Sequence, residues 1–389
     1  MSIHLLNQIF EDKRERKITN KQVAEYLGIS PGAVSQYFKG IYRIGLPHFM
    51  QLITLVYSDS PSKRQEKFYE FCKTTERPEN LRLAMEYSHM IGETDFLEFL
   101  VKQEKNGNRP NNEWADVYEV MVSRSKGYFQ GRRLLQATEK LTEKRNLKTK
   151  EMQILNSIIK MYAYFEEKEH SSMFKLTKEL PLETDSIKNP YIKEAFTVRI
   201  LEIYANGYLF QNDIQASRDI SWELINNYNP NMFPMCVAAA YHVLAQSYMF
   251  ESYAKVEQFL LEGISVLNEL DTERIRIRKK ELTKTLSFAK VYWKKVQSEE
   301  EIDNPSELAH FKARTGSLYE SIQLLDNLKE QNGSLTPFQI YYKGLSLGDE
   351  TILKDSVREF RRQGNKFYSQ LPLLELERRG QDTEFMTSL

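Results

Sequence analysis

The chain has 389 residues, with 54 Lys and Arg against 54 Asp and Glu, two cysteines, 16 glycines and 12 prolines. That length allows two or three folded units and excludes a disulfide-stapled mini-scaffold, while zero net charge excludes a diffuse polycation, so nucleic-acid binding would need a local basic patch. Few glycines and prolines among abundant Leu, Glu, Lys, Ile and Tyr predict an all-α chain.

The N-terminal MSIHLLNQIF meets EDKRERK directly, without the apolar run and cleavage site of a signal peptide, and no stretch nears roughly 18 uninterrupted apolar residues. The expectation is a cytoplasmic protein with no membrane segment. Cys72 and Cys236 fit no ligand or redox spacing, which suits buried thiols in a reducing compartment.

Residues 20–39, NKQVAEYLGISPGAVSQYFK, have the pattern of a helix-turn-helix. Ala24 is small where the second helix crosses, Gly28 sits where the turn needs a left-handed backbone, and Val23, Leu27, Ile29 and Val34 form the shared seam, with Tyr37 also facing inward. Ser30-Pro31 reads as an N-cap and N1 proline opening the second helix, and Thr19-Asn20 as the cap of the first. Seven basic residues against four acidic ones in residues 1–45 leave a local surplus that is expected to face DNA. On this geometry Ser30, Gly32, Ala33, Ser35 and Gln36 form the front of the recognition helix, with Gln36 placed to pair with adenine and Ala33 to touch a thymine methyl. Gln22, Lys39, Tyr42 and Arg43 are assigned to phosphates. The predicted domains are a DNA-binding head at 1–58, a connecting helix or linker at 59–78, and a repeat domain at 79–389.

Along the body, breakers such as Asn189-Pro190, Asn229-Pro230 and Asn332-Gly333 cut the chain into helices. A degenerate tetratricopeptide-like period follows: Leu201, Tyr204, Ala205, Tyr208 and Ser217, then Tyr241, Leu244, Ala245, Tyr248 and Leu261, and later Ile340, Gly344, Leu347, Ser356 and Phe360. Small residues in this period let two helices approach, and large ones fill the groove to the next hairpin. The reading is a tetratricopeptide-like α-solenoid behind the head.

Catalytic and metal motifs fail on inspection. Gly344-Leu345-Ser346-Leu347-Gly348 spells G-x-S-x-G, but Phe338–Tyr342 reads as helix and no histidine follows Ser346, so no nucleophile elbow is expected. The six histidines are scattered singly, no glycine-rich phosphate loop exists, and no cofactor is expected; His242 and His310 are read as packed or hydrogen-bonded inside helices. The acidic run Ser298–Asp303 reads as a connector, and the basic run Arg274, Arg276, Arg278, Lys279 and Lys280 as a solvated helix face.

At the C-terminal end, Phe360-Arg361-Arg362-Gln363-Gly364-Asn365-Lys366-Phe367-Tyr368, Leu371-Pro372-Leu373-Leu374-Glu375-Leu376, Tyr341-Tyr342-Lys343-Gly344 and Leu325-Asp326-Asn327-Leu328 resemble the arbitrium receptors, the AimR-type regulators of phage lysis and lysogeny. These lie within a wider group of peptide receptors with a helix-turn-helix head and a tetratricopeptide body. The resemblance implies a homodimer that binds a two-half-site double-stranded DNA operator in the host cytoplasm and activates a lysogeny-blocking gene, until a short signalling peptide binds in the repeat groove. It further implies peptide positions at Asn206 and Gln246, whose carboxamides both donate and accept, at Asn365 and Phe367, and at Ser306 and Tyr342. Met235 stands where relatives carry an arginine, and Asn365 where they carry an aspartate, which implies a different peptide. The last hairpin, from Leu353 to the 371–376 leucine run, is read as the dimer contact because terminal repeats leave an apolar face uncovered. Other readings are a chromosomal quorum-sensing regulator of the same architecture and a protein-binding response-regulator inhibitor.

Overall fold

The computed structural model describes residues 3–145, 147–177 and 180–383. Among them every regular element is helical, and no helix is long and apolar enough to cross a membrane. The chain runs α1 (Ile3–Glu15), α2 (Asn20–Leu27), α3 (Pro31–Phe38), α4 (Leu46–Val56), α5 (Pro61–Thr74), α6 (Pro78–Met90), α7 (Thr94–Glu104), α8 (Arg109–Ser125), α9 (Gly131–Arg145), α10 (Lys150–Glu166) and α11 (His170–Thr177). It continues through α12 (Leu180–Thr184), α13 (Pro190–Phe210), α14 (Ile214–Asn227), α15 (Pro234–Ser247), α16 (Tyr253–Val266), α17 (Glu273–Tyr292), α18 (Pro305–Thr315), α19 (Leu318–Asn332), α20 (Pro337–Leu347), α21 (Glu350–Arg362) and α22 (Lys366–Arg378). The architecture is an N-terminal helix-turn-helix followed by helices that pack on their sequence neighbours in the manner of a solenoid.

Two compact units emerge: Met1–Lys160 with Leu180–Thr197 and Glu269–Arg274, and Met161–Glu179 with Val198–Asn268 and Ile275–Leu389. In the first, Leu5, Leu6 and Ile9 of α1, Val23, Ala24 and Leu27 of α2, Val34 of α3 and the apolar face of α4 close a small core. The core does not stop at residue 58. Phe71 of α5 stacks on Phe49 of α4 at 4.2 Å between ring centroids, Phe68 and Cys72 are buried, and the Leu46 N–H donates to Asn80 Oδ1 of α6 at 3.2 Å. Burial of these aromatics makes α5 a packed helix within the predicted connector.

In the second unit the small-residue logic of the repeat is physically realised. A Cβ on Gly344 of α20 would lie 2.8 Å from Leu353 Cδ2 and 3.1 Å from the Leu353 amide nitrogen, so α21 crosses at a distance that only glycine permits. Ser217 Oγ donates to the Ala205 carbonyl at 2.8 Å and Ser321 Oγ to the Ala309 carbonyl at 2.8 Å, the same twelve-residue bond in the α13–α14 and α18–α19 hairpins. Ala309 and Ser321 extend a repeat that the sequence pattern had missed there.

Two packing expectations are corrected. Leu261 is 52% exposed, because α16 buries Val256, Phe259, Leu260 and Gly263 and a neighbouring residue points about 100° away around the helix; Leu347 is likewise exposed at the end of α20. The terminal hairpin is less open than expected: Leu353, Leu371, Leu373 and Leu376 are buried within the single chain, and Leu374 is half-buried. Both cysteines are free and buried, and burial raises the thiol pKa of each.

Candidate functional site

The head is set by its caps. Thr19 accepts from the Gln22 N–H at 3.2 Å while Gln22 Oε1 accepts from the Thr19 N–H at 2.8 Å, a complete capping box at the start of α2. Gly28 ends α2 with φ +66°, and Ser30 caps α3 by accepting from the Ala33 N–H at 3.2 Å, followed by Pro31. Each of these was legible because it lies within four residues of its partner.

Ser30, Gly32, Lys39, Tyr42 and Arg43 are exposed, and Ala33, Ser35 and Gln36 are half-buried along α3. Gln22 is exposed, but its carbonyl oxygen is committed to the cap, so its NH2 group is what remains to offer a phosphate. Gln36 Oε1 is buried without a partner, so bidentate pairing with adenine requires the amide to turn outward. Ser35 Oγ accepts from Asn20 Nδ2 at 3.2 Å and donates to the Pro31 carbonyl, tying α3 to the start of α2. Arg43 pairs with Glu76 at 3.2 Å with both side chains exposed, a weak contact that a phosphate can displace.

The cationic surplus is less concentrated than composition suggests. Lys13 is buried, donates to the Ile18 carbonyl at 3.0 Å and lies near the Phe10 and Phe38 rings, and burial lowers its pKa. Arg14 pairs with Glu11 and Arg16 with Asp59. Lys17, Lys21, Lys39 and Arg43 remain on exposed positions between α1 and α2, on α2 and in the chain after α3. In the basic run, Arg274 reaches the His89 carbonyl and Arg278 pairs with Glu202 and Glu281, so that stretch is not a uniformly solvated face.

The seven peptide positions are placed unevenly. Asn206 is half-buried and donates to the Glu202 carbonyl of its own helix at 2.9 Å, while Gln246 is half-buried on α15 with no side-chain bond described. Met235 is buried near the start of α15. Ser306 accepts from Gln339 Nε2 at 3.4 Å, and Asn365 caps α22 by accepting from the Tyr368 N–H at 3.0 Å. Phe367 is buried with its ring 5.1 Å from that of Phe250. Tyr342 is wholly buried, donates to Glu307 Oε1 at 2.9 Å and stacks on His310 at 4.3 Å, so it packs among the helices instead of facing outward. None of the seven lines either described cleft: about 530 Å³ bounded by His4, Gln8, Glu11 and Lys63 among others, and about 620 Å³ bounded by Lys168, Glu169, His170 and Gln211 among others.

A buried polar cluster around Tyr342 went unforeseen. His310 meets Glu307 at 3.2 Å and accepts from Arg314 Nε at 2.9 Å, and Arg314 also donates to Tyr341. Burial lowers the His310 pKa despite Glu307, and burial followed by the Glu307 charge raises that of Tyr342. Glu307 and His310 at i, i+3 were the available signal. Ser346 is buried in α20, donating to the Tyr342 carbonyl at 2.9 Å beside Ser321 Oγ at 2.8 Å, with helix where an elbow needs a strand.

The profile of the AimR transcriptional regulator-like family matches residues 64–378, and that of a helix-turn-helix family residues 10–54. An uncharacterised protein of Bacillus anthracis is 30% identical over 250 residues, covering 64% of this chain and 93% of its own length. The AimR transcriptional regulator of Bacillus phage phi3T is 29% identical over 314 residues, covering 78% of this chain and 79% of its own. Among solved structures, SeMet-phAimR aligns with a TM-score of 0.75 at 23% identity, covering 99% of this chain and 100% of that one. The phAimR–ligand structure aligns at 0.72 with 25% identity, covering 87% and 98%.

Proposed function

The chain belongs to the AimR transcriptional regulator-like family, and from that membership we propose a peptide-responsive, DNA-binding regulator of phage lysis and lysogeny. It is a transcriptional regulator and not an enzyme. The single observation that carries the DNA half of this reading is the capped helix-turn-helix, which keeps Ser30 and Gly32 exposed at the start of α3 and Lys39 and Arg43 exposed beyond its end. The ligand half is supported by the likeness to the ligand-bound phAimR structure.

In this reading a free homodimer presents two heads to a two-half-site operator. One head with small residues at 32 and 33 discriminates poorly, and a rigid dimer makes the second contact intramolecular. A short peptide held by Asn206 and Gln246 shifts the population away from the DNA-competent state; full reversal from 1:99 to 99:1 needs a preference of about 5.5 kcal/mol. Asn365, Ser306, Tyr342 and Phe367 act here as cap and wall of the groove, and Met235 as its apolar side.

Selection of a random duplex pool by the purified full-length protein tests the reading. Enrichment of a two-half-site sequence, lost on changing Gln36 and Arg43 together, is the expected result. A folded protein that enriches nothing would overturn direct DNA binding and favour a protein-binding regulator. Asn206→Ala is expected to weaken the peptide response with DNA binding intact, and loss of both would instead make Asn206 a folding residue.

A further inference from the structure

Just past the recognition helix, Ile41 is 62% exposed and Tyr42 55%. Such a tip would ordinarily be mobile and polar, yet the backbone here is fixed: Gly40 is left-handed at φ +69°, its N–H donates to the Tyr37 carbonyl at 3.0 Å, and the Ile41 and Tyr42 N–H groups both donate to the Gln36 carbonyl, at 3.0 and 3.2 Å. This is a Schellman ending, in which the residue at the Ile41 position normally folds its apolar side chain onto the residue at the Gln36 position. Gln36 is polar and belongs to the DNA-reading front, so Ile41 has no apolar partner there and its surface stays open. The residues around it are specific too. Lys39 lies two residues before it and Arg43 two after, both exposed, and the Arg43 guanidinium makes an exchangeable pair with Glu76.

A cation, an apolar side chain and a second cation at positions 39, 41 and 43 of a fixed, exposed turn are the chemical groups that a duplex backbone can engage, where one deoxyribose lies between two phosphates. We propose that Ile41 packs on a deoxyribose ring between the phosphates taken by Lys39 and Arg43, giving the head an uncharged grip on the backbone. The tip is continuous with the helix-turn-helix that faces DNA, so the inference rests on the DNA-binding reading. A sugar contact carries no base information and releases no counterions, which separates it from both the Gln36 and the Lys39 contributions.

The test uses full-length protein and a mixed-sequence duplex, with affinity measured across a range of salt concentrations. Ile41→Ser is expected to bind about tenfold more weakly at every salt concentration, as for loss of a partly buried apolar side chain, with the slope of log affinity against log salt unchanged. Lys39→Ala is expected to flatten that slope by about 0.9 for each bound head. Ile41→Leu is expected to restore the wild-type affinity, and the exposed position keeps the thermal melt of all three variants unchanged. Binding by Ile41→Ser equal to wild type overturns the proposal. So does a loss confined to particular sequences, which would mean base reading, or a change in the protein's own oligomeric mass, which would mean a contact between copies. If the wild-type protein binds no duplex, the DNA reading itself falls.

Discussion

The head and the later repeats use glycine for opposite reasons. Gly28 in the head has no atom beyond its chain neighbours within 4 Å of where a Cβ would stand, and is needed for its φ of +66°. Gly344 in the repeats lies inside a helix, and is needed because Leu353 occupies the space of a Cβ. Around its small apolar core the head is thus shaped by local backbone conformation and caps, and the repeats by close approach of helices and by buried polar bridges. Damage in the first should be local and modest, and in the second large.

The largest break in that contrast is expected from Gly344→Val, which forces α20 away from α21. A loss of about 3 kcal/mol in urea unfolding is expected, and a loss below about 1 would mean that the hairpin relaxes freely. Tyr342→Phe comes next, since it leaves the Glu307 carboxylate short of a buried donor; about 2 kcal/mol is expected by the same measurement. Ser30→Ala in the head removes only the cap accepting from Ala33, worth about 1 kcal/mol. Arg43→Ala should change stability by less than about 0.5 kcal/mol, since the Glu76 pair is exposed, while reducing the salt dependence of DNA binding. A melt shifted as far by Arg43→Ala as by Ser30→Ala would erase the distinction.

The repeats should also be more sensitive to acid. Burial holds the folded-state pKa of His310 below its ordinary 6.5, and that of His242 near 3, where Arg278 adds to the effect. For a histidine depressed in the folded state, the unfolded chain binds more protons as pH falls through 6.5, so stability is full above that pH and declines below it. Melts followed from pH 7.5 to about 5 should show this decline, and His310→Gln should lessen its slope. An unchanged slope would place the acid sensitivity elsewhere.

How much was legible follows from the same contrast. Thr19, Gly28 and Ser30 act over short range and were found where their residue types placed them, whereas Asn20, read with Thr19 as a cap, is the first residue of α2 and Gln22 completes the box. Gly344, Ala205 and Ser217 were found through a period. Leu261 was misplaced because a degenerate period fixes an exposed or buried face only to within one residue, and one residue turns a helix by about 100°. Of the peptide positions carried over by resemblance, Tyr342 and Phe367 are buried and Asn365 caps α22, placements that residue type alone does not reveal.

Two determinations came from sequence by itself: the helical class and the complete helix-turn-helix. Propensity, caps and left-handed turns depend on residues a few positions apart, so the chain carries them wherever it folds. Tertiary structure alone decided that α5 joins the core of the head, that most of the terminal leucines are covered, that buried Glu307, His310 and Tyr342 join half-buried Arg314 in one cluster, and that Ile41 is left open. Those outcomes depend on which surfaces meet across tens of residues, and the energy that selects them is the burial of one particular face against another.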